Sequence, residues 1–240
     1  MRIEILASAK EALNKNFKGK NVVVIDVLRA TTVMITALKN GAEKIYPFKE
    51  IKEAVEKREE LKDGFLAGER KGLKIEGFDF GNSPLEFTEE KIKGKVICMT
   101  TSNGTRAIEN SQSADNIYIA SYLNVTSIVE KIMESDKDLV IVCAGTDDEF
   151  SLDDSLCAGI IANKISEKKK VLMDDFTISL QNLAKFSKNI KEVLEESKHY
   201  SYLKKIGYES DLEYCLTLDL CDIVPEYKNQ EITNKKASLS

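Results

Sequence analysis

Asp26 and Arg29 stand where an interior strand has no use for them. Val22 to Ile25 form a continuous β-branched run, the pattern of a strand buried on both faces of a sheet. The carboxylate follows at once, the guanidinium three residues later, then Thr31 and Thr32. A carboxylate directly after four core residues is partly dry and needs a cation or several hydrogen-bond donors. Arg29 is the nearest counter-charge, so a plain Asp26–Arg29 ion pair is one reading. The other is a site. A guanidinium fork grips the oxygens of a phosphate ester, and Asp26 can join Glu69, Asp153 and Asp154 in holding a hard cation. Mg²⁺ asks for only one or two protein carboxylates beside waters and substrate oxygens. The blander alternative for these acids is solvated loop carboxylates.

A second polar stretch, Thr100-Thr101-Ser102-Asn103-Gly104-Thr105, lies where a helix opens. Asn103–Gly104 permits a tight, left-handed backbone whose amides can converge on an anion. Thr31, Thr32, Thr101, Ser102 and Thr105 add hydroxyl donors. The same residues also serve simply as caps of two helices.

The elements that must position these groups alternate along the chain. Strands are expected at Asn21–Asp26, Lys44–Phe48, Gly64–Arg70, Lys95–Thr101, Asn116–Ser121 and Asp138–Gly145. Helices are expected over Thr31–Lys44, Glu50–Lys62, from Asn103, and over Ser155–Ile165. This grammar predicts an α/β fold of three layers, with a mainly parallel or mixed sheet and helices on both faces. Ligands in such sheets sit beyond the carboxyl ends of the strands, where the polar residues begin. A weak internal echo aligns Ala42, Ile45 and Tyr46 with Ala114, Ile117 and Tyr118. It fits either two related β-α-β-α halves or two units obeying the same packing rules. After residue 170 the pattern becomes helical, with Ser210–Glu213 read as a capping box. A last edge strand is expected at Cys221–Tyr227, stopped by Pro225. Residues 1–228 thus read as one domain and 229–240 as a flexible tail.

Bulk properties exclude several functions. The 240 residues carry a net charge of −5, with 35 basic and 40 acidic side chains, so no basic face for nucleic acid is expected. No apolar run approaches the ~20 residues of a membrane span, and the N-terminus lacks a signal-type apolar stretch; a cytoplasmic location is expected. Five scattered cysteines argue against a disulfide framework or zinc site. The single histidine, His199, falls among lysines on a helix capped by Ser197 and is read as solvated. Acid, base and ligand work therefore rests on carboxylates, Arg, Lys, hydroxyls or backbone. Position 28 is Leu, so the Asp-x-Asp of aspartyl phosphatases is absent; there is no Cys-x5-Arg, no phosphate-binding GxxxxGK[ST] loop and no GxGxxG after a strand.

Four stretches in order, DVLRATT, GERKGLKIEGFDFGNSPLE, TTSNGT and CAGTDDEFSLDD, closely resemble the 2-phosphosulfolactate phosphatases, magnesium-dependent enzymes of coenzyme M biosynthesis. The likeness runs from about Val22 to Pro225. It implies hydrolysis of (R)-2-phospho-3-sulfolactate to sulfolactate and phosphate. Carried over by position, it marks Asp26 and Arg29; Glu69, Arg70, Asp79, Gly81, Asn82 and Ser83; Asn103, Gly104 and Thr105; and Phe150, Asp153 and Asp154. The family's third threonine is Ser102 here, and its Glu-Asp is Asp153–Asp154. The shorter Asp153 makes Asp154 the preferred metal ligand, with Glu69 and with Asp26. Phosphate is assigned to Arg29, the Asn103–Gly104–Thr105 turn and Mg²⁺, with Asn82, Ser83 and Thr101 also on the substrate. Arg70 is assigned to the carboxylate or sulfonate. Asp26 is nucleophile or base for a water. The alternatives are a non-catalytic binder of phosphorylated metabolites, a phosphotransferase, and a phosphatase for another 2-hydroxy-acid phosphate. A homo-oligomer is plausible from the C-terminal helices.

Overall fold

The computed structural model describes residues 1–234. Its strands are β1 (Arg2–Leu6), β2 (Asn21–Ile25), β3 (Lys44–Phe48), β4 (Phe65–Arg70), β5 (Leu73–Lys74), β6 (Val96–Thr100), β7 (Asn116–Ala120), β8 (Leu139–Cys143), β9 (Leu172–Met173), β10 (Glu226–Lys228) and β11 (Glu231–Thr233). They join in one mixed sheet in the order β5-β4-β6-β3-β11-β10-β7-β2-β8-β1-β9. β4, β6 and β3 form one parallel block; β7, β2, β8, β1 and β9 form another. The hairpin β10–β11 joins them through three antiparallel pairings.

Side-chain alternation assigns the faces. Val22 and Val24 of β2 enter one core, with α1 (Ala9–Ala12), α2 (Ala30–Lys39) and α5 (Gly104–Asn110). Val23 and Ile25 enter another, with α6 (Val125–Met133), α7 (Leu152–Lys168), α8 (Asp175–Phe186), α10 (Lys198–Lys205) and α11 (Glu209–Cys215). Ala54 of α3 (Ile51–Leu61) packs with Leu66 and Cys98 in a third, smaller cluster. The three-layer α/β expectation holds. No helix among the described residues is long and apolar enough to cross a membrane.

Three expectations at the C-terminus are corrected. The strand near Pro225 begins after the proline and sits in the middle of the sheet, not at its edge. Residues 229–233, read as part of a tail, turn and form β11. Asn229 and Gln230 both adopt positive φ, of 53° and 65°, as a two-residue hairpin turn of the primed type requires. Tyr227 and Ile232 are buried on one face, while Glu231 accepts a 2.9 Å bond from Lys44. The remainder of the proposed tail, 235–240, lies outside the described residues. The capping box expected at Ser210 is likewise absent, since α11 starts from Tyr208 as N-cap without a side-chain cap.

The hairpin decides where the site lies. The two parallel blocks run in formally opposite senses, yet the loops that leave β2 and β6 touch. Neighbouring strands rotate by about 20–25°, so the five steps from β6 to β2 bring the two carboxyl ends toward one another. The crossings β2–α2–β3 and β6–α5–β7 each pass from one block to the other. That exchange is the structural counterpart of the internal echo.

Candidate active site

A cavity of about 430 Å³ opens at this convergence. Its floor comes from the β2–α2 loop (Asp26, Leu28, Arg29) and the β6–α5 loop (Ser102, Asn103). Glu69, Lys71, Gly72, Asn82, Thr146 and Asp147, with Lys198, His199 and Tyr202 of α10, complete the lining, and Tyr202 donates its hydroxyl to the Lys71 carbonyl at 2.8 Å.

Asp26 is buried, 9% exposed, at the end of β2. Its Oδ1 accepts the Ala30 N–H at 3.2 Å, tying it to the start of α2. Thr31 completes the joint, its hydroxyl donating to the Asp26 carbonyl at 2.8 Å. Among the described residues no donor reaches Oδ2, which lies toward Gly104: a Cβ on Gly104 would stand 2.8 Å from it and 2.7 Å from the Ala30 Cβ. Gly104 is needed for this close approach and not for a left-handed turn, because neither it nor Asn103 has positive φ. Burial, reinforced by the negative charges of Asp153 and Glu69, pushes the Asp26 carboxyl up to about 7 against the Ala30 N–H and Arg29.

Arg29 is only 2% exposed. Its counter-charge is Asp211, not Asp26: Nη1 pairs with the Asp211 carboxylate, Nη2 donates to the Gly72 carbonyl at 2.8 Å, and the guanidinium lies 3.9 Å over the Tyr208 ring. Glu69 accepts Gly72 N–H at 2.7 Å on one oxygen and Ser102 N–H at 2.8 Å on the other, clamping two loops at the cavity wall. Asn82 is buried, and its Oδ1 has no partner among the described residues.

Other expected site residues are placed differently. Asp154 does not line the cavity. It lies in the first turn of α7, where its oxygens accept Val27 N–H at 2.8 Å and Gly145 N–H at 3.1 Å; burial and the neighbouring Asp153 and Asp26 hold its carboxyl well above the usual range. Arg70 turns away, donating to Glu69 O, Lys49 O and Thr100 Oγ1. Thr101 and Thr105 bond to each other at the start of α5, the capping alternative. Ser83 donates to Asp211 at 2.7 Å, and Asp79 accepts the Leu66 N–H at 2.8 Å. His199, read as solvated, instead lines the cavity. Its Nδ1 is 3.4 Å from Thr146 Oγ1 and 3.8 Å from Asp153 Oδ2. No local signal separates a lysine-flanked histidine at the surface from one on a cavity wall. Asp211 was equally hidden, since an acid in a helix's first turn is ordinary on dipole grounds alone.

Among the described residues, no three His, Cys, Asp or Glu side chains stand close enough to form a full metal cage. Mg²⁺ needs less: Asp26 and Glu69 both face the cavity, and one or two carboxylates with water and substrate oxygens suffice. The donor set fits a hard cation in that sparse form, without Asp154.

An α/β scaffold that gathers a free carboxylate, a buried guanidinium and loop donors at its strand ends has the constitution of an enzyme acting on small anions. The 2-phosphosulpholactate phosphatase family model matches residues 7–230. A protein of Clostridium acetobutylicum described as a probable 2-phosphosulfolactate phosphatase is 46% identical over 234 residues, covering 97% of this chain and all of that one. Proteins with the same description from Clostridium novyi (42%; 97% of this chain, all of that one) and Caldanaerobacter subterraneus (46%; 90% and 91%) are similar throughout. The chain belongs to the 2-phosphosulfolactate phosphatase family.

Proposed function

We propose that the protein hydrolyses (R)-2-phospho-3-sulfolactate to 3-sulfolactate and phosphate, with Mg²⁺, in a reducing cytoplasm. Five free cysteine thiols accord with that compartment. The observation that carries the reading is Asp26, a buried carboxylate with one oxygen unclaimed, set beside Arg29 in a cavity sized for a small ester. In its ionised form Asp26 either attacks phosphorus, forming a phosphoaspartate that water then hydrolyses, or takes the proton of the attacking water. In both cases the P–O bond to the 2-oxygen of sulfolactate breaks and that oxygen leaves as an alcohol with a proton from solvent. Arg29 stabilises charge on the phosphoryl oxygens through donors left free by Asp211 and Gly72, the kind of contact that carries most of the catalytic effect in phosphoryl transfer. Asn82 and Asn103 offer amide groups to the same substrate. Lys71 and Lys198 bring positive charge to the cavity lining, where a second anionic group of the substrate lies, and the imidazole of His199 stands among them. Asp26 and Glu69 would hold Mg²⁺, which would supply neutralisation of the phosphoryl charge.

The test is phosphate release from 2-phospho-3-sulfolactate with Mg²⁺, with EDTA, and with Mg²⁺ restored. Release that stops in EDTA and returns with the metal is expected. Binding without release makes the protein a sensor; undiminished release in EDTA removes the metal from the reading.

A further inference from the structure

We propose that Asp211 is the positioning residue of this site, one carboxylate that sets both Arg29 and Asn82 against the substrate. The inference rests on the phosphatase reading and adds to it a segment of the chain far from the motif loops. Asp211 is 3% exposed and uses each oxygen for a different loop. Oδ2 holds Nη1 of Arg29, from the β2–α2 loop. Oδ1 accepts the Ser83 hydroxyl, from the loop after β5, at 2.7 Å. The residue before Ser83 is Asn82, which lines the cavity and whose amide NH₂ is the group able to donate to substrate oxygens.

The restraint on Arg29 is threefold. Asp211 takes one terminal nitrogen, the Gly72 carbonyl takes the other, and the Tyr208 ring fixes the plane. A guanidinium has five N–H donors in a rigid fork, so orientation by two of them aims the rest. Stability alone does not account for such a pair, because a buried ion pair is often replaceable by apolar packing without loss. A catalytic fork, by contrast, loses its effect when displaced by about 1 Å. Tyr208 and Asp211 sit at the start of α11, so this helix completes a site whose reacting groups all come from elsewhere in the chain.

The experiment is a double-mutant cycle. Asp211→Asn, Arg29→Ala and the pair are assayed for phosphate release from 2-phospho-3-sulfolactate with Mg²⁺, well below each variant's melting temperature. Asp211→Asn is expected to lower kcat/KM by about 10- to 100-fold, the usual range for a residue that orients a functional group, and to add less than about twofold to Arg29→Ala. Losses that multiply independently, wild-type activity of Asp211→Asn, or full activity of Arg29→Ala each overturn the proposal. Ser83→Ala keeps both charges in place and reads the second arm even if Asp211→Asn does not fold. A fall of about three- to tenfold is expected there, and unchanged activity overturns that arm. The same cycle on the affinity for inorganic phosphate separates the two readings. If the wild type releases no phosphate, the substrate assignment fails, while coupled losses in phosphate affinity still uphold Asp211 and independent losses still overturn it.

Discussion

At the junction of β2 and α2 the chain places a carboxylate and a guanidinium; at the junction of β6 and α5 it places Ser102, Asn103 and Gly104, with no charge at all. The two junctions share a topology. Each follows a buried strand, opens a helix, and leads across to the opposite block of the sheet. They meet at equivalent residues, since Ala30 and Gly104 are the first residues of α2 and α5 and lie against each other. The comparison separates architecture from chemistry. Small residues at both helix starts let the two junctions touch, whereas only the first carries reactive groups. The second contributes space and amides, and in return Ser102 N–H fixes Glu69.

The largest effect that tests this division is Asp26→Asn. If the first junction holds the chemistry, kcat for phosphate release falls by about 10²- to 10³-fold, the cost of losing one transition-state interaction. Near-normal turnover would move the chemistry away from that junction. Next comes Gly104→Ala. The added methyl meets Ala30 Cβ and Asp26 Oδ2 below 3 Å, and overpacking of this kind costs about 1–3 kcal/mol. Because the crowding falls on Asp26, kcat is expected to drop by about 10- to 100-fold, together with a lower melting temperature. A loss of stability with unchanged kcat would show that the second junction supplies packing only. Arg70→Ala should do least to activity, about threefold or less in KM. Its guanidinium is spent on Glu69 O, Lys49 O and Thr100 Oγ1, and it does not face the cavity. A loss of tenfold or more would reinstate it as a substrate ligand.

These contrasts also mark what the sequence could reveal. β2, β6 and β8 were legible because unbroken apolar runs admit few other fates in a chain this size. Polar residues at the ends of such strands mark an edge, which is why Asp26, Glu69 and Asn103 were expected together and are found lining one cavity; Asn82, marked only by the family resemblance, lines it as well. The hairpin β10–β11 was not legible: each strand carries one buried apolar residue, Tyr227 or Ile232, and three residues give no period. Yet that hairpin reverses one block against the other and so determines which loops meet. Asp211 and His199 were missed for a related reason. Their roles arise from helices packed over the sheet at sequence distances of 182 residues from Arg29 and 53 from Thr146, and nothing in their neighbours announces those partners. The assignments of Asp154, Thr101 and Thr105 follow a third pattern. Each lies beside the site in sequence, but its side chain turns inward to satisfy backbone or hydroxyl groups that burial would otherwise leave unpaired.

The smallest effect concerns stability, and it too separates the junctions. In the fold Asp26 keeps its proton up to about 7, while in the unfolded chain it releases it near the ordinary 3.8. Between those values the folded state binds more protons, so this group's contribution to stability falls as pH rises from 4 toward 8. The cause is burial of charge at the first junction. Asp26→Asn removes the charge and should raise the melting temperature by a few degrees at pH 8 in EDTA, where about 1 kcal/mol corresponds to 2–4 °C for a chain of this size. The gain should shrink through pH 7 and vanish near pH 4. Ser102→Ala and Asn103→Ala, at the uncharged second junction, should show no such pH-dependent gain. Thermal melts of the three variants across that range would therefore identify the junction whose reactivity is held at the expense of stability. A gain for Asp26→Asn that did not depend on pH would place the strain in packing and not in the carboxylate's charge.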